Sequence, residues 1–191
     1  MATLLPRGTP ENIFAGMEEN TRSSRSVVVD MGEAIVEALP RLRRFARTLC
    51  RNAHDADDLV QLAVERALRH VEQFRPGSNP LHWLFGIVRH AWLDELRSHQ
   101  RRQRLFAPAE LADDVASGTV DTALEGVALQ RALTTLPEDQ RLAVGLVLVE
   151  GLSYKEAADV LEIPIGTLTS RLARARTALI AQLEPATMEA R

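Results

Sequence analysis

The sequence contains one cysteine, one lysine and one tyrosine among 191 residues, and aromatic residues make up only 4% of it. A lone cysteine, Cys50, excludes an internal disulfide, and no Cys/His cluster has zinc-ligand spacing. No apolar run reaches the roughly eighteen residues that cross a bilayer. The first ten residues hold two prolines and no extended apolar stretch, so they do not read as a secretory leader. No alternating polar/apolar run of useful strand length occurs, which predicts an all-α chain. Five scattered histidines, His54, His70, His82, His90 and His99, outline no catalytic site, and Cys50 has no paired base. His90 and Asp94 are four apart on one helix but lack a third ligand, so no metal is expected. The expected product is a cytosolic protein with no catalytic residues, no cofactor and no membrane contact of its own.

The net charge is −3, which argues against a uniformly basic nucleic-acid coat. Its distribution is more informative. Residues 33–104 hold 13 arginines against 9 acids, whereas residues 105–125 hold 5 acids and no base. Every basic residue except Lys155 is arginine, whose planar fork suits phosphates and base edges.

Residues 1–31 lack periodicity and are expected to form a disordered tail, within which Met17 and Met31 offer later translation starts. Helical spacing then runs from Glu33 to about Arg51 through Ile35, Val36, Leu39, Leu42, Phe45, Ala46 and Leu49. Pro40 is expected to kink or divide this helix. Asp55 is the expected N-cap of a second helix reaching about His70. The stretch Arg75-Pro76-Gly77-Ser78-Asn79-Pro80 is dense in breakers and reads as a loop. A third helix spans about Leu81 to Arg104. These elements make up a first domain, 32–104. Residues 105–121, with Glu110, Asp113, Asp114 and Asp121, read as a flexible acidic linker. A second helical domain, 122–185, follows. It has a helix to Leu136, another that begins with Pro137 in its first turn and ends at Gly151, and a sharper pattern after that.

That pattern starts with Ser153 and Glu156, spaced as a capping box. A short helix through Ala157, Ala158, Val160 and Leu161 is broken at Glu162-Ile163-Pro164. A second helix opens around Ile165-Gly166-Thr167. Two short helices joined by a tight turn make a helix-turn-helix, whose second helix enters the major groove. At 100° per residue, Ile165, Leu168, Leu172, Ala175 and Leu179 form one buried stripe. Thr167, Ser170, Ala173, Arg174 and Thr177 lie opposite, flanked by Arg171 and Arg176. Small hydroxyls and arginines on an outward face suit close approach to DNA, although a solvated polar face has the same composition.

Asp55-Ala56-Asp57-Asp58-Leu59-Val60-Gln61, Trp83-Leu84-Phe85-Gly86-Ile87 and Leu136-Pro137-Glu138-Asp139-Gln140-Arg141 resemble, in order, motifs of bacterial extracytoplasmic-function sigma factors, group IV of the sigma-70 family. So do Glu150-Gly151-Leu152-Ser153-Tyr154-Lys155-Glu156-Ala157-Ala158 and Pro164-Ile165-Gly166-Thr167-Leu168-Thr169-Ser170-Arg171-Leu172. The resemblance covers about residues 33–183. It implies two small helical domains joined by a flexible linker, a region 2-like one and a region 4-like one. The implied function is to give RNA polymerase core its promoter specificity, for a stress or envelope regulon, under the control of an anti-sigma factor.

The resemblance also implies residue roles. Asp57, Asp58, Leu59, Gln61 and Glu65 would dock on the beta-prime clamp helices of the core, and the second domain on the beta flap. Ser78, Asn79, Trp83, Arg97, Arg101 and Arg102 would bind the minus-10 element, with Asn79 hydrogen-bonding a base and Trp83 stacking on one. For both Trp83 and Trp92, helical periodicity favours a core position over base stacking. Thr167, Thr169, Ser170, Arg171, Ala173, Arg174 and Arg176 would bind the minus-35 element. Relatives often carry Lys or Arg where this chain has Thr169, so its target sequence is its own. The acids of the linker would mimic nucleic acid inside polymerase or serve as a solubilising spacer. The linker would also let the free protein sample many interdomain distances and rearrange around an inhibitor. Two other functions compete with this one: a stand-alone helix-turn-helix repressor, and a sigma-like decoy that sequesters an anti-sigma factor.

Overall fold

The computed structural model describes residues 31–105 and 123–183, and every described element is helical. The expected tail and acidic linker, apart from their edge residues Met31 and Leu105, lie outside the described residues. Met31 belongs to a helix and is buried in the core, so the first domain reaches at least one residue further back than its sequence pattern implied.

Helix α1 spans 31–49 and runs unbroken through Pro40. Proline removes one N–H, which leaves the Val36 carbonyl without its helical partner. Both residues lie on the exposed side of the helix, where water can take that partner's place, and no division follows. Val36, counted by spacing among the apolar set, is 66% exposed. Helix α2 covers Ala53–Arg69, and its N-cap is Asn52 rather than Asp55. The Asn52 side chain accepts from the Asp55 backbone N–H at 2.8 Å, so Asp55 sits in the first turn, where its charge favours the helix N-terminus. After a single 3₁₀ turn, Val71–Gln73, the breaker-rich loop leads into α3, Pro80–Leu105.

In the second half, α4 (Ala123–Thr135) is followed by α5 (Glu138–Val144); Pro137 stands at its N-cap position, one residue before the first turn expected for it, and makes no side-chain capping bond. A wide π-type turn, Gly145–Val149, extends α5, and Gly151 at φ 72° reverses the chain. Helices α6 (Tyr154–Leu161) and α7 (Ile165–Leu183) complete the fold.

The two halves do not stand apart. Their buried residues form one continuous cluster that includes Phe45, Leu84 and Phe85 from the first half and Leu146, Leu161 and Leu168 from the second. Gly145 makes the close approach possible, because a Cβ there would lie 2.6 Å from Thr48 Oγ1 and 2.8 Å from the Phe45 ring. Arg141 donates to the Leu49 carbonyl at 2.8 Å and to the carbonyls of Thr134 and Leu136 at 3.0 Å. Its guanidinium lies over the Trp92 ring. Gln130 donates to the carbonyls of Arg47 (2.6 Å) and Cys50 (2.8 Å), which end α1. The structure thus holds one closed arrangement of the two halves.

Candidate nucleic-acid and polymerase-binding surfaces

On α2, amphipathic spacing turns Ala56, Leu59, Val60, Ala63 and Ala67 inward and the acids outward. Asp57 pairs with Arg43 at 3.4 Å, Asp58 with His54 at 3.7 Å, and Gln61 donates to Glu65 at 3.1 Å. All of these are exposed, so each pair is weak and can be traded for a partner's groups. Leu59 differs from its neighbours. It is 7% exposed and packs in the protein's own core, so it holds the helix in place and presents no docking surface.

The breaker loop is built by its own side chains. Gly77 at φ 83° makes the turn that other residues resist. Ser78 Oγ donates to the Arg75 carbonyl at 2.6 Å. Asn79 Oδ1 accepts from the Leu81 N–H at 3.0 Å, capping α3, while its Nδ2 lies 3.3 Å from His82. Only part of the Asn79 amide therefore remains for a base edge. Trp83 is half-buried and stacks edge-on against Phe74, with ring centroids 5.4 Å apart. Trp92, 5% exposed, is a core tryptophan. Near the other end of α3, Arg97 pairs with Asp94 at 3.3 Å and Arg102 with Glu95 at 2.8 Å, and Arg101 is exposed.

The loop and the start of α3 border a groove of about 830 Å³. Asn79, His82, Trp83 and Ile87 line one side of it, and Asp159 of α6 and Glu162 just past its end line the other.

The helix-turn-helix follows its pattern closely. Ser153 accepts from the Glu156 N–H at 3.3 Å and Glu156 from the Ser153 N–H at 2.8 Å, which completes the capping box. These bonds hold the Glu156 carboxyl below the usual carboxylate pKa. Glu162 ends α6 in the left-handed region at φ 55°. On α7, Leu168, Leu172 and Ala175 are buried as expected. Ile165, placed in the buried stripe by spacing, is 50% exposed because it opens the helix and projects beyond the core. Thr169, Ser170, Ala173, Arg174 and Arg176 face outward, with Thr167 partly covered. The Thr169 and Ser170 hydroxyls bond back to the carbonyls of Ile165 and Thr167 at 2.9 Å. Arg171 is drawn inward and pairs with Asp139 at 3.0 Å, bracing α7 against α5.

Two family descriptions match this architecture, sigma-70 region 2 over residues 35–102 and sigma-70 region 4 over residues 126–179. The chain is 43% identical over 150 residues to the ECF RNA polymerase sigma factor EcfG of Rhodopseudomonas palustris, a match covering 78% of this chain and 82% of that protein. The chain belongs to the ECF sigma factors. It is also 41% identical over 141 residues to SigM of Mycobacterium tuberculosis, covering 73% of this chain and 69% of that one. Among solved structures, the sigma factor RpoE of Bartonella quintana, in complex with the anti-sigma factor NepR, superposes with a TM-score of 0.68. That match has 32% identity and covers 81% of this chain and 97% of the other. CnrH, solved with the cytosolic domain of CnrY, shares the fold at 23% identity and a TM-score of 0.63, over 84% of this chain and 97% of that one.

This sigma factor is thus a regulator of transcription that works with RNA polymerase core and promoter DNA. Sequence reasoning missed the contacts across its seam. Glu150 is the main one. Its side chain has no exposed surface, and it accepts from Arg41 Nε at 2.8 Å and Arg44 Nε at 3.3 Å. Its backbone carbonyl also accepts from Arg41, at 2.6 Å. Arg89 meets Glu162 at 3.3 Å, and His82 lies 3.7 Å from Glu156. Each is a single polar side chain of the same type as its solvated neighbours, and no one-dimensional signal tells a seam contact from a solvated residue. Among the described residues, no group of three metal-ligating side chains comes together and no helix is long and apolar enough to cross a membrane.

Proposed function

We propose a division of labour for the sigma factor's surfaces. The outward face of α2, with Asp57, Asp58, Gln61 and Glu65, docks on the clamp helices of polymerase, and the second half meets the beta flap. Ser78, Asn79 and Trp83 read the opened minus-10 strand, which must present unstacked bases. Arg97, Arg101 and Arg102 grip its backbone. The exposed residues of α7, from Thr167 and Thr169 through Ser170, Ala173, Arg174 and Arg176, read the minus-35 duplex, and Arg171 holds that helix to α5. The polymerase performs the chemistry, so the sigma factor itself has no catalytic step. It works in the cytoplasm, where the polymerase is, and is held in check by an anti-sigma factor. The relative solved in complex with the anti-sigma factor NepR supports that last point.

The observation that carries the reading is the helix-turn-helix itself. A complete capping box and a left-handed turn at Glu162 fix α6 against α7 and leave a row of small and basic side chains facing outward. Run-off transcription on genomic fragments with purified core tests it. Transcripts should start at discrete promoters only when the protein is added. Output equal to that of core alone would refute the reading. Binding of an isolated operator duplex without core would favour the repressor instead.

A further inference from the structure

Helix α7 leads with a side chain that the minus-35 role proposed above does not use. Ile165 opens the helix and is 50% exposed. Each Cα–Cβ bond of a helix tilts toward its N-terminus, so Ile165 reaches ahead of the other side chains of α7. Beside it stands Gly166, where a Cβ would meet nothing within 4 Å. Packing therefore does not call for glycine there, and alanine is the better helix former. What the bare backbone offers is close approach by a partner. One turn further on, Thr169 is exposed and shares an edge with Ile165, four residues before it. The Thr169 hydroxyl donates to the Ile165 carbonyl at 2.9 Å, and the Ser170 hydroxyl to the Thr167 carbonyl at 2.9 Å. With its one proton spent on the backbone, Thr169 has a methyl group and an acceptor oxygen left to present. No charged side chain occurs from Ile165 to Ser170, and Arg171, the first that follows, is drawn to Asp139. The leading edge of α7 is thus apolar and uncharged, on a helix whose outward face is otherwise mostly polar.

A recognition helix in the major groove sets its N-terminal residues against base edges. Among the groups displayed there, the apolar one is the C5 methyl of thymine. We infer that Ile165 is a specificity-determining residue: with the methyl of Thr169 it packs on thymine methyls beneath the leading turn of α7, and so selects A·T pairs there without a hydrogen bond of its own. The inference rests on the minus-35 role proposed for α7. Exclusion works alongside attraction. A G·C pair shows only hydrogen-bonding groups in the major groove, and an isoleucine pressed on them would leave them dry and unpaired. Gly166 lets the backbone come close enough for so short a side-chain edge to reach the bases.

The test uses the full chain bound to core polymerase, on promoter duplexes whose minus-35 element is randomised. Bound duplexes should be enriched in thymine within that element. At the enriched positions deoxyuridine, which lacks only the C5 methyl, should weaken binding about fourfold, the effect of returning one methyl group to water. Ile165→Ala should bind the thymine and deoxyuridine duplexes equally. Thr169→Ser, which keeps the hydroxyl and removes the methyl, should shrink the difference. Arg174→Ala should bind more weakly yet keep the full thymine-to-deoxyuridine ratio, which separates loss of the methyl contact from general weakening. The ratio should also hold as salt is raised, because a methyl contact releases no counterion. Deoxyuridine that binds as well as thymine at every enriched position overturns the inference, as does a thymine preference that survives intact in Ile165→Ala, or enrichment that includes no thymine. Loss of all sequence preference in the element is a different result: it refutes the minus-35 role of α7 itself, and the inference with it.

Discussion

Replacing Gly145 by alanine tests the seam with a single methyl group. A Cβ at that position would lie 2.6 Å from Thr48 Oγ1 and 2.8 and 2.9 Å from two Phe45 ring carbons. The Thr48 hydroxyl could turn away at the loss of its 2.7 Å bond to the Phe45 carbonyl. The ring cannot move as easily, since Phe45 has no exposed surface and packs edge-on against Phe85 at 5.2 Å. Overpacking of this kind costs about 1–3 kcal/mol, and three contacts this short put it near the upper end. The backbone at Gly145 is helical, at φ −57° and ψ −48°, so alanine recovers about 1 kcal/mol of helix propensity. The net expectation is a loss of about 2 kcal/mol. Gly86, within α3, is the control. A Cβ there meets nothing within 4 Å, so Gly86→Ala should stabilise by about 1 kcal/mol. Urea unfolding followed by circular dichroism should show the same chemical change moving the midpoint in opposite directions. If Gly145→Ala is as stable as the unaltered protein, the two halves do not pack as described.

Other outcomes follow from single groups. Ser153→Ala should cost about 1 kcal/mol by removing the N-cap of α6. The Glu156 carboxyl, held low in the folded state by Ser153, stabilises at neutral pH and ceases to as pH falls through its folded value; carbon-detected titration should show its pKa rise in Ser153→Ala. Burial pushes the Cys50 thiol up to about 12, so a thiol reagent should label it only after unfolding. Because that folded value lies above the unfolded one, the contribution of Cys50 to stability is complete below the ordinary thiol range and falls as pH rises from about 9 toward 12, which denaturation at a series of alkaline pH values would reveal. Arg174→Ala should cost about 1–3 kcal/mol on a cognate promoter and less on one mutated at the contacted base, as judged by footprinting of the polymerase complex. A uniform loss with a shallower salt dependence would make Arg174 a phosphate contact instead. Asp58→Arg with Gln61→Arg should weaken co-purification with core while circular dichroism stays unchanged.

The helices were legible because their determinants are local. Apolar spacing, the Ser153–Glu156 pair and the break at Pro164 each act within one or two turns of chain, and α6 and α7 fall where those signals put them. Errors arose where two local devices competed. Asn52 and Asp55 are both good N-caps, and the backbone geometry at Asn52 decided between them. Pro40 lies on a face that water reaches, which a residue count does not show. The surfaces proposed to meet polymerase and DNA were half legible. Exposed Asp57, Asp58 and Gln61 stand where the spacing put them, whereas Leu59 and Arg171 are spent on the protein's own packing. The seam was illegible because its partners lie far apart in sequence. Arg41 meets Glu150 across 109 residues, and neither residue differs in type from exposed neighbours.

The end of α1 has a consequence for how the molecule can be divided. A helix leaves its last carbonyls without partners, and most helices satisfy them locally. Here the other half of the chain does so, through Gln130 on Arg47 and Cys50 and through Arg141 on Leu49. The gap between the two family matches, from residue 102 to residue 126, is therefore not a clean cut through the packed structure. A fragment ending in the linker would expose three carbonyls and the core residues around them, and α1 would fray from its last turn backward. Chimeras meet the same requirement. A second half borrowed from a relative must bring a glutamine, an arginine and a glycine at the positions of Gln130, Arg141 and Gly145, or the first half loses the end of its leading helix along with its partner.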